Sequence, residues 1–155
     1  MIRFCNANDE VEWIRLNREF MAEEIHDLSF WNEIEKTSDQ IFATTFRKAL
    51  ESPEHVKLLL IENEEGDAIG YVNLMILFSV WSHGQALEID DLYIVPAERA
   101  KGIGSAAIKF CENYAKENGF KRFQFKAEEN NEEANHLYRK LGYISEKMDF
   151  YVKYL

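Results

Sequence analysis

The sequence predicts a mixed α/β fold, a single sheet flanked by helices, and three observations carry that reading. Apolar residues recur at helical or strand spacing in the order β-α-α-β-β-β-α-β-α-β-β. The strand over residues 87–96 changes phase in mid-course. A glycine-containing segment, Arg99-Ala100-Lys101-Gly102-Ile103-Gly104-Ser105, joins that strand to the next helix.

Residues 2–6 form a short first strand. Asn8 or Asp9 can cap a helix whose apolar positions are Val11, Ile14, Leu16, Phe20 and Met21. Residues 26–31 break that pattern, and Ser38 caps a second helix with Ile41, Phe42, Thr45, Phe46 and Leu50 on one face. Ser52-Pro53 stops it. Residues 56–62 and 68–80 are strands around an acidic glycine turn, and residues 87–96 are the fourth strand overall. Residues 105–118 are helical and end at Gly119. An alternating strand over 120–127 precedes a helix over 132–141, closed by Gly142. Residues 143–155 return to strand, in two parts with a turn at 145–147.

In the fourth strand the apolar positions are Leu87 and Ile89, then Leu92 and Ile94. A regular strand keeps a period of two, so the slip across Asp90-Asp91 marks either a β-bulge or a strand buried on both faces beyond residue 91. A bulge would release backbone groups to a ligand.

At 155 residues, with 46% hydrophobic and 14% aromatic content, the chain fits one folded domain over residues 1–155. Its 28 acids against 18 bases give a net charge of -10, which disfavours nucleic acid and suits either a cationic small molecule or plain solubility. The start of the chain lacks the build of a signal peptide, and the apolar run over 74–81 is too short to span a bilayer, so no membrane partner is expected. Cys5 and Cys111 are isolated, which fits a reducing cytoplasm. The histidines at 26, 55, 83 and 136 show no metal spacing, so no metal is expected.

Glycines at a helix start, with Arg99 and Lys101 beside them, form a cradle for a phosphorylated ligand. Gly102, Gly104 and Ala107 also fit a dinucleotide fingerprint, with Glu128 as its ribose acid. The spacer over 96–101 and the hundred or so preceding residues weaken that fit. No Gly-Lys-Ser/Thr follows, so a Walker loop is excluded.

Leu92-Tyr93-Ile94-Val95-Pro96-Ala97-Glu98-Arg99-Ala100-Lys101-Gly102-Ile103-Gly104 resembles motif A of the GNAT family of N-acetyltransferases. Asn131, Ala134, Leu137, Tyr138, Gly142 and Tyr143 are similar to that family's downstream Asn-x-x-Ala-x-x-Leu-Tyr-x-x-x-Gly-Phe/Tyr segment. The resemblance covers essentially the whole chain. It implies a central, mostly antiparallel twisted sheet of six to seven strands, about four helices and a bulge in the fourth strand. It also implies acetyl-CoA as co-substrate, with the pyrophosphate on the amides of Arg99, Ala100, Lys101, Gly102, Ile103, Gly104 and Ser105. The backbone of Leu92, Tyr93 and Ile94 would pair with the pantetheine arm. An N–H near Ile94 would serve the oxyanion, and Tyr138 would protonate the leaving thiolate. The other role for Tyr138 is a core aromatic, and Asn131 either reaches the cofactor or caps a helix. Many family members carry glycine where Ala100 stands, and the extra methyl is expected to alter the loop only slightly.

Glu88, Asp90 and Asp91 are the candidate bases for the acceptor amine, with Asp90 and Asp91 nearest the bulge. The alternative is solvated carboxylates with a water relay. Asp90-Asp91-Leu92-Tyr93-Ile94 is similar to the acidic strand of diamine, polyamine and aminoglycoside 6′-N-acetyltransferases, which implies a small cationic amine as acceptor. Glu23, Glu24 and Asp27 lie where this family builds its acceptor wall. Trp31 and Phe30 could stack on substrate, seal a dimer seam or simply pack, and His26 lines the pocket or the surface. A homodimer is expected from the strand-rich end at 150–155 and the family's habits. The competing readings are acetylation of a protein N-terminus or lysine, and a non-catalytic acyl-CoA sensor.

Overall fold

The computed structural model describes residues 1–27, 30–31, 34–127 and 132–155. Strand β1 (Ile2–Phe4) leads into a capping box: Asn6 accepts from the Asn8 amide, and the Asp9 carboxylate accepts from the Asn6 amide at 2.7 Å. That box starts a 3-10 turn (Ala7–Asp9) that runs into helix α1 (Glu10–Glu24); the capping side chain is Asn6 rather than the expected Asn8 or Asp9, and Asp9 makes no side-chain cap bond to α1. Arg3 donates to both oxygens of Asp9 and to Glu62, fixing the helix start to the sheet. Ser38 accepts from the Ile41 amide at the start of helix α2 (Asp39–Glu51), as the sequence predicts.

Strands β2 (Val56–Glu62), β3 (Ala68–Ser79) and β4 (Gly84–Ile94) pair antiparallel. After helix α3 (Ile103–Glu117), strand β5 (Arg122–Phe125) joins parallel to β4, and helix α4 (Glu132–Lys140) follows. The sheet order is β1-β2-β3-β4-β5. Strand alternation gives the sheet two apolar faces. Leu59, Ile61, Val72, Leu74, Leu87 and Ile89 pack on α3 through Ala107, Ile108, Cys111 and Ala115. Leu58, Leu60, Tyr71 and Tyr93 pack on α1 and α2 through Trp13, Leu16, Phe42 and Phe46.

The expected bulge is present. Asn73 pairs with Asp91 and Leu74 with Ile89, so Asp90 is the extra residue of β4. Among the described residues the sheet has five strands rather than six or seven, because residues 143–155 form no strand. Alternation alone does not make a strand; a ladder partner is needed, and Ile144, Met148 and Tyr151 are exposed rather than paired onto the sheet.

Two features shape the far end of β4. Among the described residues its pairing with β5 stops at Ile89 and Phe125, next to the bulge. On its other side β3 comes very close at Gly70, where an added Cβ would lie 2.4 Å from the Tyr93 carbonyl oxygen. Gly70→Ala is therefore expected to push β3 from β4 at Tyr93 and cost about 1–3 kcal/mol. A thermal melt reads this as a clear fall in midpoint; an unchanged midpoint would show that the close approach is not required.

Candidate functional site

The loop between β4 and α3 contains one 3-10 turn, Pro96–Glu98, and then a reversal through Ala100 and Gly102. Both lie in the left-handed region, at φ 59° and 80°. Gly102 caps α3 without any side-chain hydrogen bond, and an added Cβ there would meet nothing within 4 Å. The first amides of a helix have no intrahelical acceptor, so this end offers N–H groups to an anion in open space. Ile103 and Ser105 sit in the first turn, and an added Cβ at Gly104 would make ordinary contact with the Ile94 side chain at 3.6 Å.

The two cations of the loop are engaged with the protein. Arg99 Nε donates to the Ile94 carbonyl at 2.8 Å, and its Nη1 lies 2.7 Å from Glu23 Oε1. Its guanidinium also covers the Tyr93 ring at 5.5 Å. Lys101 pairs with Glu98 at 3.0 Å. The backbone amides and the helix dipole, more than these side chains, give the loop its anion preference.

Beyond the bulge β4 is prepared for a partner. Val95 donates to the Ile69 carbonyl at 2.9 Å. By antiparallel alternation, Leu92 and Ile94 then turn their N–H and C=O groups away from β3, the Ile94 carbonyl toward Arg99, beyond the last described pair with β5. Tyr93 points to the other face, where its hydroxyl donates to Glu23 Oε2 at 3.0 Å. The last residue of β5, Phe125, carries the Tyr138 ring at 4.4 Å between centroids. Phe125 is in register with Ile89, so Tyr138 stands by the last described β4–β5 pair. Burial pushes its phenol up from the ordinary value, so it is protonated at neutral pH.

The three carboxylates of β4 act on one another. Glu88 is buried and accepts from Gln124 and from Lys126, the latter at 2.7 Å. Asp90 is raised by desolvation and by Glu88, with Lys126 opposing. Asp91, half-buried, is pushed up to about 6 by desolvation and by Asp90, against a lowering hydrogen bond from Asn73. Asn73 Nδ2 donates to Asp91 Oδ2 at 2.9 Å, and Trp13 Nε1 donates to Asn73 Oδ1 at 3.0 Å.

The segment after α1 supplies aromatic surface. Asp27 Oδ1 accepts from the Phe30 amide, and the Phe30 and Trp31 rings meet edge to face at 5.0 Å. Phe30 also meets Phe150 at 6.0 Å, and Lys126 Nζ lies 5.0 Å from the Phe150 ring centroid. His26 is exposed. Asn131, Glu128 and the side chain of Glu24 lie outside the described residues. Among the described residues no cluster of histidine, cysteine, aspartate and glutamate could hold a metal ion.

Sequence reasoning missed Asn73, Gln124, Lys126 and Phe150. Asn73 had a signal, as the one amide in the apolar run over 68–78. Gln124 and Lys126 become meaningful only once the parallel register sets β5 beside Glu88.

The Acetyltransferase (GNAT) family matches residues 13–143. The uncharacterized N-acetyltransferase YhfO of Bacillus subtilis is 36% identical over 109 residues, 70% of this chain and 72% of that protein. The D-amino-acid N-acetyltransferase HPA3 of Saccharomyces cerevisiae is 26% identical over 153 residues, 96% of this chain and 87% of that one. The solved structure of AAC(6')-Iy in complex with the bisubstrate analogue CoA-S-monomethyl-acetylneamine shares the fold, with a TM-score of 0.76 at 16% identity, over 100% of this chain and 98% of that one.

The left-handed Ala100 makes its methyl more than a slight change, since an L side chain at such a φ costs about 1–2 kcal/mol. Ala100→Gly is expected to raise stability by about 1 kcal/mol in denaturant titration. A loss of stability would show that the methyl is favourably held.

Proposed function

Because this chain belongs to the GNAT family and is an N-acetyltransferase enzyme of a fold that uses acetyl-CoA, we propose that its acceptor is the primary amine of a small cationic molecule, polyamine- or aminoglycoside-like, acetylated by direct attack in a ternary complex. The observation that carries this reading is the carboxylate cluster at the bulge, beside the last described β4–β5 pair. A chain with net charge -10 adds a long-range attraction for cations.

The residues present fit the co-substrate. Beyond the last described β4–β5 pair, the backbone of Leu92 and the N–H of Ile94 are turned from β3 and suit an extended arm, and the start of α3, capped by no side chain, supplies N–H groups for a pyrophosphate. Acetyl-CoA supplies a thioester, whose carbonyl carbon the amine attacks as the C–S bond breaks. In this reading the Ile94 N–H stabilises charge on the carbonyl oxygen. Tyr138 gives its proton to the departing sulfur.

The amine arrives as an ammonium, and its proton goes to the Asp90–Asp91 pair. Both carboxyls are raised, and a base poised near neutrality is the efficient one. Glu88 is already held by Gln124 and Lys126, which suits it to tuning Asp90 rather than taking the proton itself. Glu23 joins the acceptor wall to the cofactor loop through Tyr93 and Arg99. Trp31, Phe30 and Asp27, with Phe150, supply a wall on which a cation's apolar parts can rest. The reading also includes one domain over residues 1–155, a reducing cytoplasm in keeping with free Cys5 and Cys111, and a homodimer. The exposed apolar side chains of 150–155 support the dimer. No helix of the described residues is long and apolar enough to cross a membrane.

Acetyl-CoA with a panel of polyamines, aminoglycosides and amino acids should release free CoA thiol with at least one cationic amine. Acetyl label passing only to lysate proteins would overturn the small-molecule acceptor. Tyr138→Phe should lower kcat about 100-fold while leaving the KM for acetyl-CoA nearly unchanged; an unaltered kcat would remove Tyr138 from the chemistry. For the base, activity is lost as pH falls through the raised carboxyl value, so the acid limb of kcat/KM should lie near pH 6. Asp90→Asn or Asp91→Asn should abolish or move that limb. If neither does, a water relay or Glu88 takes the proton.

A further inference from the structure

Asn73 lies on β3 directly opposite the bulge, in register with Asp91. The indole N–H of Trp13 can only donate. By bonding Asn73 Oδ1 at 3.0 Å it fixes which end of the amide faces α1. The other end, the NH2, then faces Asp91 Oδ2 at 2.9 Å. A reversed amide would turn an oxygen toward the carboxylate and repel its charged form. Asp91 is a crowded place for a charge. Asp90 sits beside it on β4, the Tyr71 phenol faces it from β3, and Tyr93, bonded to Glu23 of α1, lies on the same strand. Glu88 and Lys126 act on it at one remove, through Asp90. The Tyr71 hydroxyl has no hydrogen-bond partner among the described residues, so it gives Asp91 no donor there.

We propose that Asn73 is a positioning residue for acetyl transfer, holding Asp91 in its ionisable state through an amide whose orientation Trp13 fixes. This rests on the reading of the Asp90–Asp91 pair as the base. The relay also ties α1, which carries the acceptor wall at its far end, to the strand that carries the base. Any distortion of α1 at Trp13 is therefore felt at Asp91.

The test is a carbon-13 carboxyl NMR titration of the whole protein, which needs no acceptor, with the acid limb of kcat/KM as a second reading. Asn73→Leu should raise the Asp91 midpoint by about 0.5–1 pH unit, the size of one lost hydrogen bond. Asn73→Asp keeps an acceptor for Trp13 but sets a second carboxylate against Asp91, so it should raise the midpoint further. Trp13→Phe should shift it in the same direction by less, and should add nothing in the Asn73→Leu background. The acid limb of the rate should follow each shift. An Asp91 midpoint unmoved by both Asn73 substitutions overturns the proposal while leaving the base assignment intact. A rate profile indifferent to Asp90→Asn and Asp91→Asn overturns the base assignment, and the role of Asn73 with it.

Discussion

One extra residue in one strand organises this molecule. Asp90 has no partner across β3, and its insertion makes the two halves of β4 do different work. Before it, β4 is an interior strand, paired with β3 on one side and β5 on the other. After it, no further pair with β5 forms among the described residues, and the backbone of Leu92 and the N–H of Ile94 turn away from β3. The same insertion brings Asp90 and Asp91 next to each other at that point of the strand. A regular strand would have sent two successive side chains to opposite faces.

The arrangement opposes stability locally. Holding Asp91 at about 6 means that the folded state binds a proton more tightly than the unfolded chain does. The stabilising contribution of its protonated form is full below the ordinary carboxylate value near 4 and is lost as pH rises through 6. At neutral pH the difference is on the order of 2–3 kcal/mol. The two packed faces of the sheet, with Leu59, Val72, Leu74 and Leu87 fully buried on one and Leu16, Phe46 and Tyr71 on the other, offset it. The link from Glu23 through Arg99 and Tyr93 belongs to the same economy of design, since it braces the loop from the acceptor side.

Much of this was legible in the residues. The phase slip at Asp90-Asp91, the cap at Ser38 and the glycines of the α3 loop are local signals with local causes, and the fold keeps them; the first cap falls on Asn6, just before the expected Asn8 or Asp9. Pairings between distant segments were not legible. Nothing near Arg99 announces that its guanidinium turns to Glu23, 76 residues earlier in the chain, because that contact is made by the sheet. Residues 143–155 misled for the opposite reason: their alternation is genuine, but a strand exists only against a partner edge. Asn73 stood in plain view as a lone amide, and only the register with Asp91 gave it a meaning.

Backbone amide hydrogen exchange, with and without coenzyme A, reads whether β4 offers its amides to a ligand beyond the bulge. In the free protein Tyr93, paired with β3, should exchange slowly while Leu92 and Ile94 exchange fast. Coenzyme A should then slow Leu92 and Ile94 and leave Tyr93 as it was. Slow exchange at Leu92 and Ile94 in the free protein, or coenzyme A binding that leaves them fast, would contradict that role of β4.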